Sequence, residues 1–66
     1  MRIEVILNSD QMNVKKFQTE DEGMQYAEQM KSNPNIVDIA VYDLEKPIGE
    51  ECLISWSKIE GVWENF

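Results

Sequence analysis

Cys52 is the only cysteine and the chain has no histidine, so neither an intramolecular disulfide nor a zinc set of the Cys/His type is open to it. Length makes that a severe constraint. With 66 residues the chain forms one domain, 1–66, and a domain of this size buries only about 60% of the surface its unfolded form exposes. Without either staple, stability must come from a tight core or from association with a partner. The lone cysteine also fits a reducing compartment, and Met1–Asn8 lacks the basic start and long apolar stretch of a signal peptide. A cytoplasmic location is the resulting expectation. The longest apolar run, Ile39 to Tyr42, is four residues, against roughly 20 for a membrane helix, so no membrane partner is expected.

Hydrophobic periodicity gives the elements. In Arg2–Asn8, Ile3, Val5 and Leu7 share one side of an extended strand, with Glu4, Ile6 and Asn8 on the other. Asn8-Ser9-Asp10 is a turn cluster, and Met12–Gln18 is a second strand paired with the first as a hairpin. Its apolar spacing breaks between Val14 and Phe17, which predicts either a bulge or an edge position guarded by Lys15 and Lys16. Thr19 and Glu22 fit a capping box at a helix start. Met24, Ala27 and Met30, flanked by Gly23 and Tyr26, then form one apolar stripe, and Asn33-Pro34-Asn35 ends the helix.

Ile36–Tyr42 is the most β-prone segment, with Val37, Ile39 and Val41 opposite Asp38, Ala40 and Tyr42. After a turn at Lys46-Pro47-Ile48-Gly49, a fourth strand alternates Cys52, Ile54 and Trp56 with Leu53, Ser55 and Ser57, completing a second hairpin. Gly61 breaks this strand, and residues 61–66 form a short aromatic tail. The expected fold is therefore α+β, ββαββ: a four-stranded, mainly antiparallel sheet with one helix on one face. The favoured strand order is 2-1-4-3, with the first and fourth strands parallel in the middle. The segment from Phe17 through Asn33-Pro34-Asn35 to Val37 resembles a strand-helix-strand pattern common in small bacterial and phage proteins. It covers about a third of the chain and transfers no functional residues.

The chemical inventory narrows function mainly by exclusion. Nucleophilic triads need an imidazole that is absent. Cys52, on the strand side shared with Ile54 and Trp56, is expected to be a small buried hydrophobe. The three glycines are isolated and fit no phosphate-binding loop. Thirteen acidic residues against six basic give a formal charge of −7, which repels phosphate backbones and anionic lipid, so no direct nucleic-acid partner is expected. Glu20-Asp21-Glu22 is accounted for by the helix dipole. Asp43, Glu45, Glu50 and Glu51 around the second hairpin turn could hold magnesium or calcium if they converged, with a solvated turn as the simpler account. No enzyme activity, catalytic residue, resident metal or cofactor is expected.

The face of the sheet away from the helix asks for explanation. On plain alternation it carries Ile6, Ala40, Tyr42, Leu53 and Ile59, too apolar for an ordinary wetted surface. Either the tail folds back over it with Trp63 and Phe66, or a second protein covers it. In the latter case Tyr42, Leu53, Trp63 and Phe66 would be the apolar contacts and Asp43, Glu45, Glu50 and Glu51 the acidic ones. A tail exchanged between identical copies would satisfy both.

The expected function is a small acidic protein-binding module, an inhibitor or adaptor docking on a basic surface of a larger protein. The compact size suits a phage or mobile-element product of the anti-defence or host-takeover type. A strict DNA mimic would need a regular ladder of carboxylates, which the sequence lacks. The alternatives are a homodimeric structural or assembly protein and a carboxylate metal-binding protein.

Overall fold

The fold, a computed structural model that describes residues 2–66, is α+β. Its elements run β1 (Ile3–Asn8), β2 (Met12–Phe17), α1 (Glu20–Met30), β3 (Asp38–Asp43), β4 (Cys52–Ile59) and β5 (Val62–Asn65). The five strands form one sheet in the order β2-β1-β3-β4-β5, and every neighbouring pair is antiparallel. Among the described residues no helix is long and apolar enough to cross a membrane.

Two expectations are corrected here. The sheet has five strands, not four, because the segment expected as a tail is the last strand. Glu60 and Gly61 both take positive φ, 52° and 81°, the backbone of a two-residue hairpin turn whose twist matches antiparallel strands. Gly61 therefore turns the chain and does not merely stop it. The order 2-1-4-3 also fails: β3, not β4, lies beside β1, with Val5 opposite Val41 and Leu7 opposite Ile39. After β2 returns the chain to the start of β1, α1 carries it back along the sheet once, so β3 arrives antiparallel to β1 and pairs with its free edge.

Local chemistry explains the helix. Thr19 is extended (φ −124°) and its side chain accepts from the Glu22 amide, while its hydroxyl donates to the Glu22 carboxylate at 3.0 Å. Three acids in the first turn face the positive end of the helix dipole. The predicted stripe faces inward: Gly23 and Ala27 are buried, and Met24, Tyr26 and Met30 pack on the core. Gly23 sets the distance to the sheet, since a Cβ there would lie 2.7 Å from Ile3 Cγ2. The helix and the sheet touch almost backbone to side chain.

One side of the sheet is the core. Ile3, Val5, Leu7, Ile39, Val41 and Trp56 are buried with Ala27 and Ile36. Ile36 fills the place expected for Val37, because β3 begins only at Asp38 and Val37 is exposed. β2 is an edge strand with an unbroken register of six pairs against β1, so the bulge suspected there is absent. A bulge lies instead between the Val41 and Tyr42 pairings of β4, where Ile54 opposes Val41 but Cys52 opposes Tyr42.

Candidate functional site

The bulge decides which side chains reach the face away from α1. By inserting Leu53 as an extra residue it reverses the alternation below Ile54. Leu53 packs against the core cluster, and Cys52, expected in the core, is exposed on the opposite face beside Tyr42. Burial and then the adjacent Cys52 thiol push the Tyr42 hydroxyl above its ordinary value. Ile6, Ala40 and Tyr42 lie on the far face as expected, and Leu53 does not.

The ladders arrange that face in transverse rows. Val14 is opposite Ile6, Ile6 opposite Ala40 and Ala40 opposite Ser55. Phe66 then donates its amide to the Ser55 carbonyl at 2.8 Å. Alternation along β5 turns the Phe66 side chain to the same side. A row that is apolar apart from Ser55 thus crosses four strands and reaches Phe66, the residue after β5, with Val14 49% and Phe66 70% exposed at its ends.

A polar row runs alongside. Asp38 accepts from the Ser57 hydroxyl at 2.6 Å and from the Asn8 amide at 3.3 Å. On the other side of the apolar row, Lys16 and Glu4 form a 3.7 Å ion pair next to Tyr42. These polar groups satisfy one another across strands and border the apolar row, and beyond them Ile59, as expected, lies exposed on this face opposite Val62.

The tail does not fold back over this face. Trp63 sits opposite Lys58 on the helix side, where its Nε1–H donates to the Lys31 carbonyl at 3.0 Å. Lys58 Nζ lies 5.1 Å from its ring centre. Of the two tail aromatics, Trp63 caps the C-terminal end of α1 and Phe66 points to the uncovered side. The sequence reading missed this division because it treated residues 61–66 as irregular.

The four acids of the second turn separate as well. Asp43 is fully buried and held by Arg2, with Nη2 2.5 Å from Oδ2 and Nε 3.3 Å from Oδ1. Its Oδ1 also accepts the Glu45 amide at 3.0 Å. The side-chain bond from Arg2 holds the Asp43 carboxyl below its usual value, against the opposing effect of burial. Glu51 accepts the Gly49 amide at 2.6 Å, whereas Glu45 and Glu50 are exposed. Asp43 therefore offers no oxygen to solvent, and among the described residues no group of three or more acids or cysteines gathers as a metal site. Arg2 was the residue that sequence reasoning overlooked, since nothing local links it to Asp43.

The pairing of Ile3 with Asp43 and Phe17 brings the start of α1 and the β3–β4 turn to one end of the molecule. Glu20, Asp21 and Glu22 thus share that end with Glu45, Glu50 and Glu51, and both Glu20 and Glu45 are close enough to act on the Arg2 charge. Comparison with protein-family models, curated proteins and solved structures finds no match.

Proposed function

We propose that the chain is a non-catalytic protein-binding module, an inhibitor or adaptor, that docks on a basic surface of a larger protein. The observation that carries this reading is the uncovered Val14–Ile6–Ala40–Ser55–Phe66 row beside a strongly acidic end. Phe66 and Tyr42 serve as the aromatic anchors, and Glu45 and Glu50 supply the field that steers a basic partner toward them. Glu51 adds to that field from within its turn. Asp43, Leu53 and Trp63, drawn from the same sequence reasoning, act as supports and not as contacts.

Charge favours a foreign partner over a second copy on this face. A face-to-face dimer would bring two chains of formal charge −7 together, while a cationic partner would gain from the same charge. A product of this size and charge suits blocking of a cationic groove on a host protein, which is the sense in which an anti-defence role is proposed.

Binding to a partner captured from the native host should weaken at least about tenfold in Phe66→Ala, with folding unchanged, and should fall with added salt. A sedimenting dimer that retains no partner, with Phe66 protected at its interface, would replace this reading with the homodimeric assembly role.

A further inference from the structure

The sheet has a second unpartnered feature, on the helix side. β2 ends the strand order, and its residues from Met12 to Lys16 are all exposed, leaving one row of backbone N–H and C=O groups without a ladder partner. Beside it, between β2 and the C-terminal half of α1, runs an open groove of about 410 Å³. Leu7, Met30 and Ile36 give it an apolar lining, with Asn13 and Asn35 as amide-bearing walls. Such a space is large enough for one or two bulky side chains.

Its charge runs against that of the molecule. Among the described residues Lys15 is the only charged one lining the groove, although the chain carries 13 acids. Lys15 enters no salt bridge among the described residues; its Nζ lies over Tyr26, 5.6 Å from the ring centre. Lys16 stands on the same edge but faces the other side of the sheet, where it pairs with Glu4, so Lys15 is the cation that faces the groove. Lysines on an edge oppose pairing with a copy of the same strand, because like charges would then meet across the ladder. They favour a strand of opposite charge, so the same feature rejects one partner and selects another.

We propose that the free edge of β2 takes up an extended acidic peptide as a sixth strand, with a carboxylate at Lys15 and a large apolar side chain in the groove beside α1. Main-chain pairing supplies the affinity and the groove supplies the choice of side chain. The groove opens on the helix side of the sheet and meets the far-face row only at Val14, which borders both; the proposal does not depend on the docking function.

Random dodecapeptides displayed on phage, selected on the immobilised full-length chain, provide the probe; enriched peptides are then titrated into isotope-labelled protein. The expected result is enrichment of peptides alternating acidic with large apolar residues, with amide shifts confined to Met12–Phe17 and to residues 26–36. Lys15→Glu should weaken binding at least about tenfold while Glu64→Gln, on the opposite edge strand β5, leaves it unchanged. The proposal is overturned by a selection that yields no binder, by shifts centred on Ile6, Ala40 and Phe66, by binding indifferent to Lys15→Glu, or by self-association of the chain through β2.

Discussion

Arg2 grips Asp43 through both carboxylate oxygens, at 2.5 and 3.3 Å, across a separation of 41 positions in sequence. The carboxylate has no exposure to water while the arginine side chain keeps 45% of its own. The pair closes the end of the β1–β3 ladder, where the Arg2 carbonyl also accepts the Leu44 amide at 2.7 Å. A buried charge of this kind tolerates the loss of its partner poorly, because the remaining ion is left without either water or a counter-charge.

The pair makes stability dependent on acid. Since the Asp43 carboxyl is held below its ordinary value of 3.8, its contribution is fully present above that value and is lost as pH falls through the lower folded-state value. Urea midpoints measured from neutral to strongly acidic pH should show the advantage of the native chain over Asp43→Asn shrinking once pH drops below about 4. A difference that stays constant through that range would show that the pair does not titrate with folding.

Gly23→Ala should destabilise the domain even though alanine is the better helix former. The added Cβ would stand 2.7 Å from Ile3 Cγ2, and overpacking of this kind costs about 1–3 kcal/mol, against a gain of up to about 1 kcal/mol in helix propensity. Denaturant unfolding of the variant reads the balance directly; equal or greater stability would mean that α1 can lift from the sheet at no cost.

Trp63→Phe keeps an aromatic side chain but exchanges the indole for a smaller phenyl ring, and so removes the hydrogen bond to the Lys31 carbonyl. Loss of about 0.5–1.5 kcal/mol is expected, with faster amide exchange across β5 and the end of α1. Phe66→Ala, by contrast, should change stability by no more than about 0.5 kcal/mol, as a surface position away from any packed contact. Equal destabilisation by the two substitutions would contradict their placement on opposite sides of the sheet.

Glu60 pays for its left-handed backbone at φ 52°, a region that asparagine occupies more readily than glutamate. Glu60→Asn produces the Asn-Gly sequence favoured in two-residue hairpin turns. The variant should gain up to about 1 kcal/mol, seen as a higher thermal midpoint, and Gly61→Ala should lose stability for the converse reason.

The first hairpin, the capped helix and the inward residues of β1 and β3 were legible because each is written locally, in alternation, in Thr19 and Glu22, or in the Met24–Ala27–Met30 stripe. What was not legible depended on one-residue events or on distant partners. Glu60-Gly61 lacks the asparagine that commonly marks such a turn, so the last strand looked like a tail. The extra residue at Leu53 is invisible to a period of two, and it exchanged the expected positions of Cys52 and Leu53. On the candidate face Ile6, Ala40 and Tyr42 were foreseen; Val14 was not, because the break in apolar spacing between Val14 and Phe17 left the facing of β2 unassigned. Arg2 could have been found only by pairing β1 with β3, which the assumed strand order prevented.

The β1–β3 ladder also divides the molecule. Strands β1 and β2 form one local hairpin and β3, β4 and β5 a meander, and the ladder joining these units pairs residues 30 apart or more, as between Asn8 and Asp38. Closing so long a loop is entropically the hardest step, so formation of this seam should set the pace of folding. The same geometry marks the Asn33-Pro34-Asn35 connection as a natural place to sever the chain. Each fragment would then carry one complete half of the seam, and reassembly of the two would report that they had been brought together.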